Sequence, residues 1–215
     1  MLICVIMTIV SFLSGSIMYS YIIPRLFRHI DIRKLSEDEN PGSANAGAAA
    51  GQPIGAVCMF LDILKAFAPV FVSVAFLGVS GYYLIPIIVA PVLGHAFTPF
   101  LWFKGGKAVS VSFGSLLGVV EVSRALAILV IIMLVLNFLI VIKPDSARVI
   151  IAFFVACVAD LAIDPLLWMK IAMCIICLTV CYKHFINPNK GALSVNIGPF
   201  GICLDNREFK VGRRL

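Results

Sequence analysis

Apolar stretches of nearly bilayer length follow one another along this chain with only short polar segments between them. That alternation constrains the fold more than any single motif. A helix needs roughly 20 apolar residues to cross a hydrocarbon core, because backbone N–H and C=O groups must pair within the segment where water is absent. The hydrophobic share is 61%, charged residues make up 13%, and mean hydropathy is +1.07. A soluble globular domain is excluded on those grounds. The net charge of +6 is assigned to anionic lipid headgroups rather than to nucleic acid.

The polar interruptions place seven spans, at about 2–23, 54–77, 83–101, 108–121, 124–142, 147–163 and 166–182. Pro24 is expected to stop the first, and the opening residues read as a span rather than a cleavable signal because no basic segment precedes them. Fourteen of the 17 Lys and Arg residues fall on one side of a seven-span arrangement, in residues 24–34, in FKGGK, in KPDSAR and from Lys183 onward. The positive-inside rule then predicts an all-α integral membrane protein with its N-terminus outside and its C-terminus cytoplasmic. Residues 1–182 form the membrane domain. Residues 183–215 form a small cytoplasmic tail, expected as a hairpin against the membrane, with 191–215 given no role.

Within this frame GHAFTPFLWFKGGK, Gly94–Lys107, stands out, because a histidine, two lysines and a glycine pair sit among hydrophobic segments. Ionisable groups at a membrane are costly and mark sites by default. Glycines 105 and 106 can turn backbone N–H groups toward an anion, Lys104 and Lys107 add charge, and a following helix adds its positive end. That combination suits phosphate. The competing reading is a positive-inside loop whose lysines snorkel. Asp62 and Lys65, three apart on span two, are expected to pair on one helix face. Cys174, Cys177 and Cys181 share a face suited to helix packing. No metal-ligand spacing and no cofactor motif is present, so neither is expected.

Three cytoplasmic segments together resemble the bacterial acyl-phosphate:glycerol-3-phosphate acyltransferase family. The first is Asp31–Arg33 with Asn40–Asn45 (NPGSAN), in the loop 24–53. The second is GHAFTPFLWFKGGKAVSVSFG, residues 94–114, and the third is His184 with Asn187 in KHFIN; LDILKA at Leu61–Ala66 matches as well. The resemblance implies a seven-helix bundle in a bacterial cell membrane with a cytoplasmic groove. It further implies acyl transfer from acyl phosphate to the 1-hydroxyl of glycerol 3-phosphate, which gives lysophosphatidic acid and phosphate without a protein nucleophile. Lys104 and His184 would be catalytic. Asn40, Gly42, Asn45, His95, Gly105, Gly106, Lys107 and Asn187 would bind substrate and phosphate. The partners are those two substrates and membrane lipid; the oligomeric state is open.

The chain also departs from the family pattern. Glu37-Asp38-Glu39 stands where the family has Gly-Ser-Gly, Ala48 replaces an arginine, Phe185 another arginine, and Ala108 a glycine. A relative that uses another acceptor, or a non-catalytic membrane protein that binds lipid or phosphate, is therefore the alternative reading. The proton acceptor is left open between His95, His184 and the leaving phosphate. A transporter is disfavoured, because no internal repeat is visible and the charges crowd the rim rather than the midplane.

Overall fold

The computed structural model describes residues 1–197, 200–205 and 208–213, with side chains through residue 197. Its helices are α1 (Leu2–Ser16), α2 (Tyr19–Arg28), α3 (Ser43–Ala50), α4 (Gln52–Ala75), α5 (Leu84–Ala96), α6 (Val109–Leu117), α7 (Ala125–Leu134), α8 (Asp145–Ile163) and α9 (Leu167–Ile186). Among the described residues five helical segments are long and apolar enough to cross a membrane: Leu2–Arg28, Gln52–Ala75, Gly81–Leu101, Asp145–Ile163 and Leu167–Ile186. α6 is short, and Ala125–Leu139, α7 with one widened turn, also falls below that length.

Helices that are apolar on every side must face either other helices or lipid. α5 takes the first course. Ile87, Ile88, Val92 and their neighbours are buried, and the core continues through Val70, Phe153, Met173 and Ile176 of α4, α8 and α9. α1 takes the second, presenting Leu2, Val5, Ile9 and Leu13 outward while one narrow face meets α5. The two helices can come that close only at glycine. A Cβ on Gly15 would lie 2.3 Å from the Pro91 carbonyl oxygen, and one on Gly94 2.2 Å from that of Phe12.

The first span does not stop at Pro24. It breaks earlier, between α1 and α2, and Pro24 lies inside α2, where its missing N–H removes one bond from a helix that continues to Arg28. The break frees carbonyls that other elements use: the Thr98 hydroxyl donates to Ser16 O at 2.8 Å, and the Lys65 ammonium donates to Ile17 O. The fifth segment also departs from expectation. Its last apolar residues form β1 (Ile140–Lys143) rather than helix, because they pair antiparallel with β2 (Leu193–Ile197) of the tail. β2 pairs with β3 (Phe200–Asp205), and β3 with β4 (Glu208–Arg213), so the expected hairpin is two strands of a four-stranded antiparallel sheet. The tail's contact with a membrane, expected from its apolar runs, concerns side chains beyond residue 197 that lie outside the described residues.

Candidate active site

At one end of the bundle the loop between α2 and α3, the loop after α5, the N-terminus of α8 and the C-terminus of α9 surround a cavity of about 320 Å³. Of the residues singled out in the sequence, Asn40, Gly42, Asn45, His95, Lys107 and His184 line it. Lys104, Gly105 and Asn187 instead line a second recess of about 730 Å³. Asp38 belongs to both walls. His184 is not beyond the last span but in the final turn of α9, whereas Asn187 caps that helix, so the two face different cavities.

Gly105 and Gly106 are required for a close approach. A Cβ on Gly105 would lie 2.0 Å from the His95 carbonyl oxygen, and one on Gly106 2.2 Å from His95 Nε2. The Gly106 N–H is not turned toward an anion, as the sequence suggested, but donates to His95 O at 3.0 Å. The loop is thereby folded back onto the end of α5, which buries Lys107 and leaves Lys104 exposed. Immediately after it Ala108 takes a left-handed conformation, φ 60°, and begins α6. A glycine would hold that conformation without a steric penalty.

Beneath the cavity runs a buried polar chain. Ser20 Oγ donates to Asp62 Oδ2 at 2.8 Å, Lys65 Nζ pairs with Asp62 Oδ1 at 2.8 Å, and Nζ also lies 3.0 Å from His95 Nδ1. The expected pairing within span two is present, and it extends further. An ammonium has no lone pair, so Nδ1 of His95 accepts and the proton of the neutral ring sits on Nε2, beside Gly106. His184 is the opposite case. Its Nδ1 lies 2.9 Å from the Val180 carbonyl, which can only accept, so Nδ1 carries the proton and Nε2 has the free lone pair.

The opposite wall centres on Asp38. Lys107 Nζ donates to Asp38 Oδ2 at 2.6 Å and to Asn189 Oδ1 at 3.2 Å, and Asn189 Nδ2 reaches Oδ2 at 3.3 Å. Asn45 Nδ2 donates to Oδ1 at 2.8 Å and to the Asn40 carbonyl at 2.8 Å, while the Asn40 N–H reaches Oδ1 at 3.3 Å. Burial raises the Asp38 pKa, but the Lys107 ammonium and the Asn45 amide outweigh it and hold the carboxyl below its ordinary range. Two buried atoms on this lining, Asn40 Oδ1 and Arg148 Nε, have no hydrogen-bond partner among the described residues. Buried polar groups normally find partners, so both are unmet hydrogen-bonding capacity in the cavity wall.

Asp31 and Arg33 lie outside the cavity and have a bracing role. Their side chains pair at 3.0 Å, and the Arg33 guanidinium sits 4.5 Å from the centre of the Tyr21 ring, which ties the loop to α2. The sequence reading missed Asn189, Arg148 and Lys183 as site residues. Arg148 had a signal, three residues after Asp145 in KPDSAR and paired with it at 2.9 Å. Asn189 and Lys183 had none, because their places depend on where α9 ends.

Known proteins resemble this chain in sequence and in fold. A family model described as Glycerol-3-phosphate acyltransferase matches residues 5–192. A glycerol-3-phosphate acyltransferase of Clostridium acetobutylicum is 34% identical over 165 residues, covering 74% of this chain and 82% of that protein. Glycerol-3-phosphate acyltransferase 2 of Thermotoga maritima is 42% identical over 106 residues, but this covers only 49% of this chain. The match spans 53% of that relative, about half its length. Among solved structures, PlsY (YgiH), an integral membrane glycerol 3-phosphate acyltransferase, superposes in its glycerol 3-phosphate form with TM-score 0.75 at 26% identity, over 86% of this chain and 89% of the other. Its lysophosphatidic acid form gives TM-score 0.73 at 25% identity.

Proposed function

The chain belongs to the glycerol-3-phosphate acyltransferase family, and from that premise we propose that it transfers an acyl group from acyl phosphate to the 1-hydroxyl of glycerol 3-phosphate. The products are lysophosphatidic acid and inorganic phosphate. The observation that carries this reading is convergence: three segments far apart in sequence, around Asn40–Asn45, His95–Lys107 and His184, line one cavity. We place the enzyme in a bacterial cell membrane, crossing it seven times with α6 and α7 as short crossings, the N-terminus outside and the cavity facing the cytoplasm. The concentration of basic residues on that side supports the orientation.

The hydroxyl oxygen attacks the acyl carbonyl carbon, the carbon–oxygen bond to phosphate breaks, and phosphate leaves. An acyl phosphate is already activated, so positioning and charge stabilisation can supply most of the rate. Lys107, in the inner cavity, and Lys104, in the outer recess, hold phosphate groups. Asn40, Gly42 and Asn45 shape the facing wall, Gly105 and Gly106 keep Lys107 turned inward, and Asn187 borders the outer recess. His95, with its proton on Nε2, serves as a donor to developing negative charge. His184, with Nε2 free, accepts the hydroxyl proton.

Purified protein in detergent, given palmitoyl phosphate and glycerol 3-phosphate, tests this. Equal release of phosphate and lysophosphatidic acid, lost in Lys107→Ala and Lys104→Ala, is expected. Phosphate without the lipid product would show another acceptor or hydrolysis, and neither product from folded protein would favour a binding role.

A further inference from the structure

Asp38 holds a position that the proposed reaction does not use. Four donors converge on its carboxylate: the Lys107 ammonium at 2.6 Å, the Asn45 amide at 2.8 Å, and the Asn189 amide and the Asn40 N–H at 3.3 Å each. They come from the loop after α5, from α3, from the segment after α9 and from Asp38's own loop. A carboxylate has about four acceptor positions, so this one is nearly saturated. The side chain is 4% exposed and Lys107 7% exposed. An ammonium with converging amide donors is the set that holds a phosphate oxygen.

We propose that Asp38 is a resident anion in the phosphate position at Lys107, so that a substrate phosphate binds only by displacing the carboxylate and residue 38 sets the affinity of the site for phosphate. The inference rests on Lys107 being the phosphate lysine. Like charges cannot share the ammonium at hydrogen-bond distance without a penalty, so the phosphate takes the donors and Asp38 gives them up. Asp38 lies on the wall common to both cavities, and the outer recess, where Lys104, Lys183 and Lys190 outnumber Glu37 and Glu39, is the second position of the displaced carboxylate. Where the family carries serine at this point, no internal anion would compete.

Calorimetric titration of the purified full chain in detergent with inorganic phosphate, which needs no acyl donor, tests the proposal. Asp38→Asn and Asp38→Ser are expected to bind phosphate about tenfold more tightly than the wild type, and the gain should vanish when Lys107→Met is added to Asp38→Asn. Unchanged affinity in both folded single variants would overturn it. Should neither variant fold, infrared difference spectra of the wild type with aspartate labelled by carbon-13 decide the matter. Saturating phosphate must shift an aspartate carboxylate band, and unshifted bands would overturn the proposal. A chain inactive in acyl transfer that still gains phosphate affinity on Asp38→Asn refutes the proposed activity alone. An active chain without that gain refutes the resident anion alone.

Discussion

Two buried Lys–Asp pairs flank this cavity, and they differ in almost everything but their chemistry. Asp62–Lys65 is local, three residues apart on α4, and both side chains are 2% exposed. Asp38–Lys107 joins residues 69 apart and sits at the junction of two cavities. The first packs among helices, with only Asp62 reaching the cavity wall and both side chains nearly sealed, so an unpaired charge there is poorly hydrated. The second is buried too, but it is ringed by amides and Asp38 stands in the wall between two cavities, so either partner has alternatives. One pair therefore holds architecture and sets the tautomer of His95, while the other can exchange its partner for a ligand.

The largest test of that contrast is Lys65→Met, which strands the Asp62 carboxylate and is expected to cost about 3–5 kcal/mol. Thermal unfolding in detergent reads the loss, and Asp62→Leu added to Lys65→Met should recover much of it. Lys107→Met should cost less, about 1–2 kcal/mol, because the amides of Asn45 and Asn189 still satisfy Asp38. Equal losses for the two lysines would erase the distinction between the pairs. A smaller change, of opposite sign, is expected from Ala108→Gly, which relieves the left-handed backbone beside Lys107. A gain of about 0.5 kcal/mol in the same assay is expected, and a loss would show that the alanine methyl packs more than the backbone strains.

The smallest effect is on pH. The Asp38 pKa is depressed in the folded chain, so its contribution to stability is present above the unfolded value, near 3.8, and is lost as pH falls through the folded value. The charged and titratable groups around it are Lys107, His184, His95, Asp62, Asp145 and Arg148 on the cavity side and Glu37, Glu39, Lys104, Tyr182, Lys183 and Lys190 around the outer recess. The difference in stability between wild type and Asp38→Asn should stay constant above about pH 5 and shrink below about pH 4. A constant difference down to pH 3 would assign the pairing no energetic role.

The same two pairs show what could be read from the sequence. Long apolar segments report themselves, because period and length are local properties, and the i, i+3 spacing of Asp62 and Lys65 gave their pairing directly. The contact of Lys65 with His95 was not legible, since it needs α4 and α5 side by side. Asp38 was visible only as a departure from a family pattern, and nothing local announced that Lys107 and Asn189 would close on it. The glycine pair was read as an anion cradle; in the structure it makes room for the end of α5, and the Gly106 N–H goes to the His95 carbonyl. Span boundaries shifted where tertiary partners intervened. The sequence of Ile140–Lys143 suits a helix in lipid as well as a strand, and only the presence of β2 decides between them.

The break between α1 and α2 has a consequence for how this protein can change over time. Lys65 and Thr98 are anchored there by main-chain oxygens of Ile17 and Ser16, not by side chains. No replacement of those two residues removes a carbonyl. The side chain at 17 can change without touching its carbonyl, the bend itself is inherited as a shape, and these two anchors of the polar interior belong to a part of the molecule that point mutation cannot delete.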